Sequence, residues 1–276
     1  MPPRSPLAEQ HSRAMMEHLI PRSAAVVLHE PDDTVSSLGS GSCITIGRRH
    51  FIATAAHVIR NVALGQVGVI ALGRPVGEHH NITPRLVGWG HRGGERSDAV
   101  DVAWLEIKQA AVPRLLSEWG RVFITLDRVS LDPVPADAAM FVFGAPVALA
   151  KLTQLEGKPF LGIGALPYLT RAIPAPPGQG SPEHDVCVEY LSEMETAEGT
   201  VPMPPAPGLS GSGLWRVNPS GSSIWSPDSA RLVAVQQSWM PDQYLRGTRI
   251  GDWLKMVRED IPELASEIDL VLNQTA

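Results

Sequence analysis

Three short stretches of this chain hold residue types that could break a bond. Ser210 lies in Pro204-Pro205-Ala206-Pro207-Gly208-Leu209-Ser210-Gly211-Ser212-Gly213-Leu214-Trp215, a hydroxyl set among glycines and followed at once by apolar residues. A serine hydroxyl is a poor nucleophile at neutral pH. It reacts when a positioned base takes its proton and hydrogen-bond donors receive the charge on the attacked oxygen. Gly208 and Gly211 suit the second requirement, because backbone without side chains can turn tightly and aim successive N–H groups into one hollow. His57, in Thr54-Ala55-Ala56-His57-Val58, suits the first, since its small neighbours let other segments approach the imidazole. Asp101 stands before the apolar run Val102-Ala103-Trp104-Leu105, which would carry its carboxylate inward, where it needs a strong partner such as a histidine N–H. Asp98 competes for that role.

Other arrangements are excluded by order and spacing. His29-Glu30 does not begin a zinc helix, because Asp33 stands where the second histidine would be. His79 and His80, beside Glu78, read as part of a solvated loop. All nine histidines precede Ser210, the last being His184, so Ser210 cannot serve an α/β-hydrolase, whose histidine follows its serine. The strict G-x-S-x-G elbow is also missing, since Ser212 takes the fifth position.

The elements that must position these residues are legible in outline. With 276 residues the chain can hold one large or two ordinary domains, and 25 Gly with 25 Pro favour short strands joined by many turns. A net charge of −6 gives no reason to expect nucleic acid or an anionic membrane surface as partner. No run of about 18 apolar residues suggests a membrane span. Charges interrupt the first thirty residues and leave no signal-like apolar segment, so a cytoplasmic location is expected. Cys43 and Cys187 lie far apart, in no metal-like spacing, and read as small buried hydrophobes.

Leu7 to Ile20 has helical spacing and should form a short accessory helix ending before Pro21. Strands are expected over 24–28, 42–46, 51–53, 67–72 and 86–89, then over the run after Asp101, with a helical turn at 113–119. Leu131-Asp132-Pro133-Val134-Pro135 reads as a linker. Beyond it, strands are expected over 139–143, 159–164, 168–171 and 186–190, with a Pro/Gly loop at 174–182. Strands 213–217 and 232–235 should pair across a polar insertion. The period becomes helical from Asp252, broken at Pro262. The expected division is an N-terminal helical extension (1–22), a first unit (23–130) with His57 and Asp101, a second (131–250) with Ser210, and a C-terminal helix (251–276) packed on the second.

Taken together, Ala55-Ala56-His57, Asp101-Val102-Ala103 and Gly208-Leu209-Ser210-Gly211 resemble, in that order, the histidine, aspartate and serine motifs of the chymotrypsin/trypsin family of serine proteases. The resemblance implies an all-β fold of two packed antiparallel six-stranded barrels and a serine endopeptidase working through an acyl-enzyme. It implies that Ser210 attacks, His57 moves the proton, Asp101 orients His57, and the N–H groups of Gly208 and Ser210 receive the oxyanion. No cofactor and no metal are implied; a peptide or protein is the substrate, and the oligomeric state stays open. Leu209 replaces the aspartate that pairs with a cleaved N-terminus in secreted digestive members, so activation by cleavage is not expected. Val58 follows His57 where many members have a cysteine, which makes the chain more similar to disulfide-poor bacterial members. Pro204 falls at the base of the specificity pocket and supplies no charge to select Lys or Arg. Gln236, Gln237 and Ser238 are placed near the pocket wall. A catalytically silent binding scaffold of the same shape is the alternative.

Overall fold

A computed structural model describes residues 6–29, 35–72, 86–93, 99–117, 120–155, 158–177, 180–196, 199–217 and 225–273. Asp98, His79, His80 and most of the polar insertion after Val217 lie outside them. The first half forms helix α1 (Pro6–Leu19), strands β1 (Ser23–His29), β2 (Val35–Ile46) and β3 (Arg49–Thr54), the single turn α2 (Ala56–Ile59), β4 (Val67–Ala71), β5 (Leu86–Gly93), β6 (Asp101–Ile107) and α3 (Val112–Ser117). The second half runs β7 (Ala139–Gly144), β8 (Ala150–Leu155), β9 (Lys158–Ile163), β10 (Leu166–Ile173), β11 (Asp185–Glu189), β12 (Glu193–Thr196), β13 (Gly199–Pro202), β14 (Gly213–Arg216), β15 (Arg231–Met240) and β16 (Tyr244–Arg249). Two helices, α4 (Ile250–Asp260) and α5 (Ala265–Leu272), complete the chain.

The paired strands are antiparallel and form two large sheets and two hairpins. The first six make one sheet in the order β4-β1-β2-β3-β6-β5, and β10-β11-β16-β15-β14-β7 close into a barrel. One closed barrel is therefore present where two were expected: among the described residues β4 and β5 remain edges of the first sheet, and the connection between them lies outside. The strand expected at 159–164 is β9, which pairs with β8 in a separate hairpin and takes no part in the barrel; β12 and β13 form a second hairpin.

Burial explains the strand patterns. Val26, Ile52, Ala103 and Leu105 point into the core of the first sheet, while Met140, Val142, Val188, Leu214 and Leu245 fill the barrel. A third and larger cluster joins the two, with Phe51, Phe141, Phe143, Trp215 and Trp253 all fully buried. Met15 and Leu19 belong to it, so α1 is part of the core and more than an accessory. Next to α1 the buried Arg121 guanidinium donates to the carbonyls of Ile20 and Ser23 at 2.7 and 3.0 Å. Helix α4 packs against β15 and β16 of the barrel and is hydrogen-bonded to β6 of the first sheet: Trp253 donates its indole N–H to the Ala103 carbonyl at 2.9 Å, and Trp104 donates to Asp260 at 2.9 Å. As the proline predicts, the helical segment breaks at Pro262. No helix among the described residues is long and apolar enough to cross a membrane.

Cys43 and Cys187 are buried and unbridged. Burial pushes their thiols up to about 12 and about 11, which leaves both protonated and unreactive at neutral pH.

His18, near the end of α1, supplies a stability prediction. Burial first, then the Arg22 guanidinium, push its imidazole down from 6.5 to about 4, against the opposing pull of Asp228. The folded chain therefore binds this proton less readily than the unfolded chain. The stability from a neutral His18 is fully present above about pH 6.5 and is lost as pH falls towards 4. Chemical denaturation at pH 7.5 and pH 4.5 should show His18→Gln losing about 2 kcal/mol less than the parent over that interval.

Candidate functional site

β3 ends at Thr54, and the chain turns directly into α2, which carries His57. Ala55 and Ala56 are fully buried, as the small residues around the histidine predict, and His57 keeps about a third of its side chain exposed. Asp101 opens β6 with its carboxylate almost fully buried. Its Oδ1 accepts the main-chain N–H of His57 at 3.1 Å, and its Oδ2 lies 2.6 Å from the His57 Nδ1. A short contact to an ionised acceptor is a strong one. It holds the proton on Nδ1 and leaves Nε2 with a free lone pair, the form a general base requires.

Ser210 sits in the turn between β13 and β14, half-buried. The turn is held by an unbalanced set of bonds. Every carbonyl from Ala206 to Ser210 accepts a hydrogen bond: from Leu209 N, Val147 N, Ser40 Oγ, Ser212 N and Ser40 N in turn, all at 2.7 to 2.8 Å. The N–H groups of Gly208 and Ser210, by contrast, donate to no acceptor among the described residues. A loop whose carbonyls are all engaged while two of its N–H groups are not presents positive dipole ends, which suit a negatively charged oxygen. Gly208 and Gly211 adopt φ of +93° and +89°, the left-handed region that the tight turn requires. Leu209 is completely buried in the barrel core, where a charge would need a partner.

The Ser210 turn and Val58, the residue after His57, meet at Gly39 on β2. A Cβ built there would lie 2.6 Å from the Ser210 carbonyl and 2.9 Å from Cγ2 of Val58, the neighbour of His57. Only glycine lets these segments close up. The Ser210 hydroxyl itself makes no hydrogen bond to another described residue.

The remaining residues singled out from sequence have clear surroundings. Pro204 is half-buried, and its carbonyl accepts the Tyr190 hydroxyl at 2.6 Å. Gln237 is buried, with its amide turned inward onto Asp185 and Thr248. The Ser238 hydroxyl accepts from Arg246 at 3.0 Å, and the Ser238 carbonyl accepts from the Gln236 amide at 2.9 Å. No group of three or more histidine, cysteine or acidic side chains among the described residues could hold a metal.

Sequence reasoning passed over Ser40, which binds the turn at two carbonyls and also accepts the Ala145 N–H at 2.8 Å. The signal was a hydroxyl between two glycines, Gly39-Ser40-Gly41, just before the expected strand. Neither a scan against protein-family models nor a search of curated proteins finds a match to this chain.

Proposed function

We propose that this protein is a serine endopeptidase with a chymotrypsin-like double-barrel fold, in which Ser210, His57 and Asp101 hydrolyse a peptide bond through an acyl-enzyme. His57 Nε2 takes the Ser210 proton as Oγ attacks the scissile carbonyl, and the Gly208 and Ser210 N–H groups receive the charge that develops on its oxygen. His57 then returns the proton to the departing amine, and water enters by the same steps in reverse. The observation that carries this reading is the His57–Asp101 pair. A buried carboxylate held at 2.6 Å to one ring nitrogen and at 3.1 Å to the same residue's main-chain N–H fixes one tautomer and one ring orientation. Pro204 brings no charge, so a preference for Lys or Arg before the cut is not part of the proposal. Leu209, packed without a charged partner, supports an enzyme that needs no cleavage to become active.

An alkyl fluorophosphonate, which reacts with activated serines, tests the reading directly. The full chain should be labelled at one site, with labelling abolished in Ser210→Ala and reduced at least a thousandfold in His57→Ala. Failure to label at saturating probe would leave the alternative, a silent scaffold of the same shape.

A further inference from the structure

Asp101 is the first residue of β6, at the open end of the first sheet, yet its main-chain N–H does not end in that sheet. It donates at 3.1 Å to the hydroxyl of Thr248, which belongs to β16 of the closed barrel and is completely buried. The single hydroxyl proton of Thr248 is committed elsewhere, donated to Oε1 of Gln237 at 3.1 Å. The same amide donates through Nε2 to Oδ1 of Asp185 at 2.9 Å. Asp185, whose side chain is fully buried, also accepts the Ser181 N–H on Oδ2 at 2.7 Å and lies 3.9 Å from the Arg246 guanidinium. Burial pushes this carboxyl up, while the Ser181 N–H, Arg246 and His184 favour its ionised form and Asp252 opposes it.

The direction of each bond is forced by the next. An ionised carboxylate only accepts, so Gln237 must present its NH₂ to Asp185 and its carbonyl oxygen to Thr248. Thr248 must then donate to Gln237, and only its lone pairs remain for the Asp101 N–H. A reversed amide at Gln237 would occupy one Thr248 lone pair with its NH₂ and leave the buried Thr248 proton without its acceptor, so the hydroxyl that receives the Asp101 N–H would no longer be held in place.

We propose that Asp185, Gln237 and Thr248 form a one-directional relay by which the barrel positions Asp101, with Thr248 and Asp185 as positioning residues outside the reacting atoms. The inference rests on the proposed role of Asp101 in the serine chemistry and extends it: the carboxylate that orients His57 is itself located by a second buried carboxylate in the other half of the chain.

The test combines substitutions that break, keep and restore the polarity. Thr248→Val removes the hydroxyl and Thr248→Ser retains it. In Asp185→Asn the Ser181 N–H pins the introduced amide oxygen, so its NH₂ faces Gln237 and reverses the relay. Adding Gln237→Glu puts an acceptor-only group between two donors and restores the direction. Two readouts on the full chain are followed: hydrogen exchange of the Asp101 amide by NMR, and the limiting rate and half-saturation of fluorophosphonate labelling. Thr248→Val and Asp185→Asn should each speed exchange and lower the limiting rate by about tenfold or more, with half-saturation within about twofold. Thr248→Ser and the Asp185→Asn/Gln237→Glu pair should return both readouts to within about threefold of the parent. An Asp101 amide that exchanges equally slowly in Thr248→Val, or a folded double variant that exchanges as fast as Asp185→Asn, would overturn the relay. A parent protein that resists the probe would refute the hydrolase reading, and exchange would then decide the relay alone.

Discussion

Asp101→Asn should fold as the parent does and lose about 10⁴ in the rate at which Ser210 reacts, close to 5 kcal/mol of transition-state stabilisation. The direction follows from the two bonds to the carboxylate. The donor at Oδ1 is the main-chain N–H of His57, which cannot be turned round, so it selects the oxygen of the introduced amide. The NH₂ is then left at the Oδ2 position, facing His57 Nδ1. Two donors cannot share that contact, so the imidazole must move its proton to Nε2, the nitrogen that has to accept from Ser210. The His57 main chain keeps its acceptor, which is why the fold should survive while the base is lost. Labelling rates alongside thermal unfolding check both halves of this expectation. Asp98→Asn should leave the rate within a factor of a few, and the opposite pair of results would move the acid to Asp98.

The proposed reacting groups can be picked out from sequence because the need for them is local. A hydroxyl among glycines, an imidazole after small residues and a carboxylate before an apolar strand each carry their requirement in a few neighbouring positions. What held them in place was not, because it depends on contacts across the molecule. Gln236 and Gln237 are placed only near the pocket wall, past the strand expected at 232–235, yet β15 runs on to Met240 and both glutamines are buried, one of them satisfied by Asp185 and Thr248 from other strands. No local signal distinguishes a buried glutamine with partners from a solvated one. Similarly, α1 reads from sequence as an accessory helix, and only the packing of Met15 and Leu19 in the cluster that holds Phe141, Phe143 and Trp215 gives it a place in the core. Hairpins β8–β9 and β12–β13 are short and touch neither the closed barrel nor the first sheet through strand pairing, so alternation alone could not say where they belong.

The proposed site would draw on two sheets. The histidine and aspartate come from the first sheet and the serine from the barrel, so their relative placement depends on bonds that cross between the halves. Ser40 on β2 binds the serine turn, Thr248 on β16 binds the first residue of β6, and Trp253 on α4 binds the Ala103 carbonyl two residues further along β6. Each crossing bond is buried, where a lost partner costs about 1–3 kcal/mol because the remaining group cannot turn to water. The two halves are thereby tied together by buried polar bonds on either side of the proposed site.

Gly211→Ala is the substitution expected to damage these ties most. Gly211 follows the serine with φ at +89°, a conformation that disfavours any side chain, and a Cβ there would be driven into the Ser40 carbonyl and the Thr54 hydroxyl. Both obstacles are anchored: the Thr54 hydroxyl donates to the Ser40 carbonyl at 2.7 Å, and the Ser40 N–H and hydroxyl hold the turn. The clash can be relieved only by moving the turn away from β2, which gives up the Ser40 bonds to Gly208 and Ser210 and the Gly211 N–H bond to the Gln236 carbonyl. Backbone strain and lost buried hydrogen bonds together should cost about 3 kcal/mol or more, lowering the unfolding temperature by roughly 6 °C or more for a chain of this size. Fluorophosphonate labelling should fall further than stability alone explains, by at least about 10²-fold, because the same movement displaces the Gly208 and Ser210 N–H donors. Gly65→Ala is the matched control: Gly65 is exposed, its Cβ would meet nothing within 4 Å, and the variant should match the parent in both measurements. A Gly211→Ala protein that unfolds at the parent's temperature and labels at the parent's rate would mean that the turn is not held against β2 as tightly as the Ser40 bonds require.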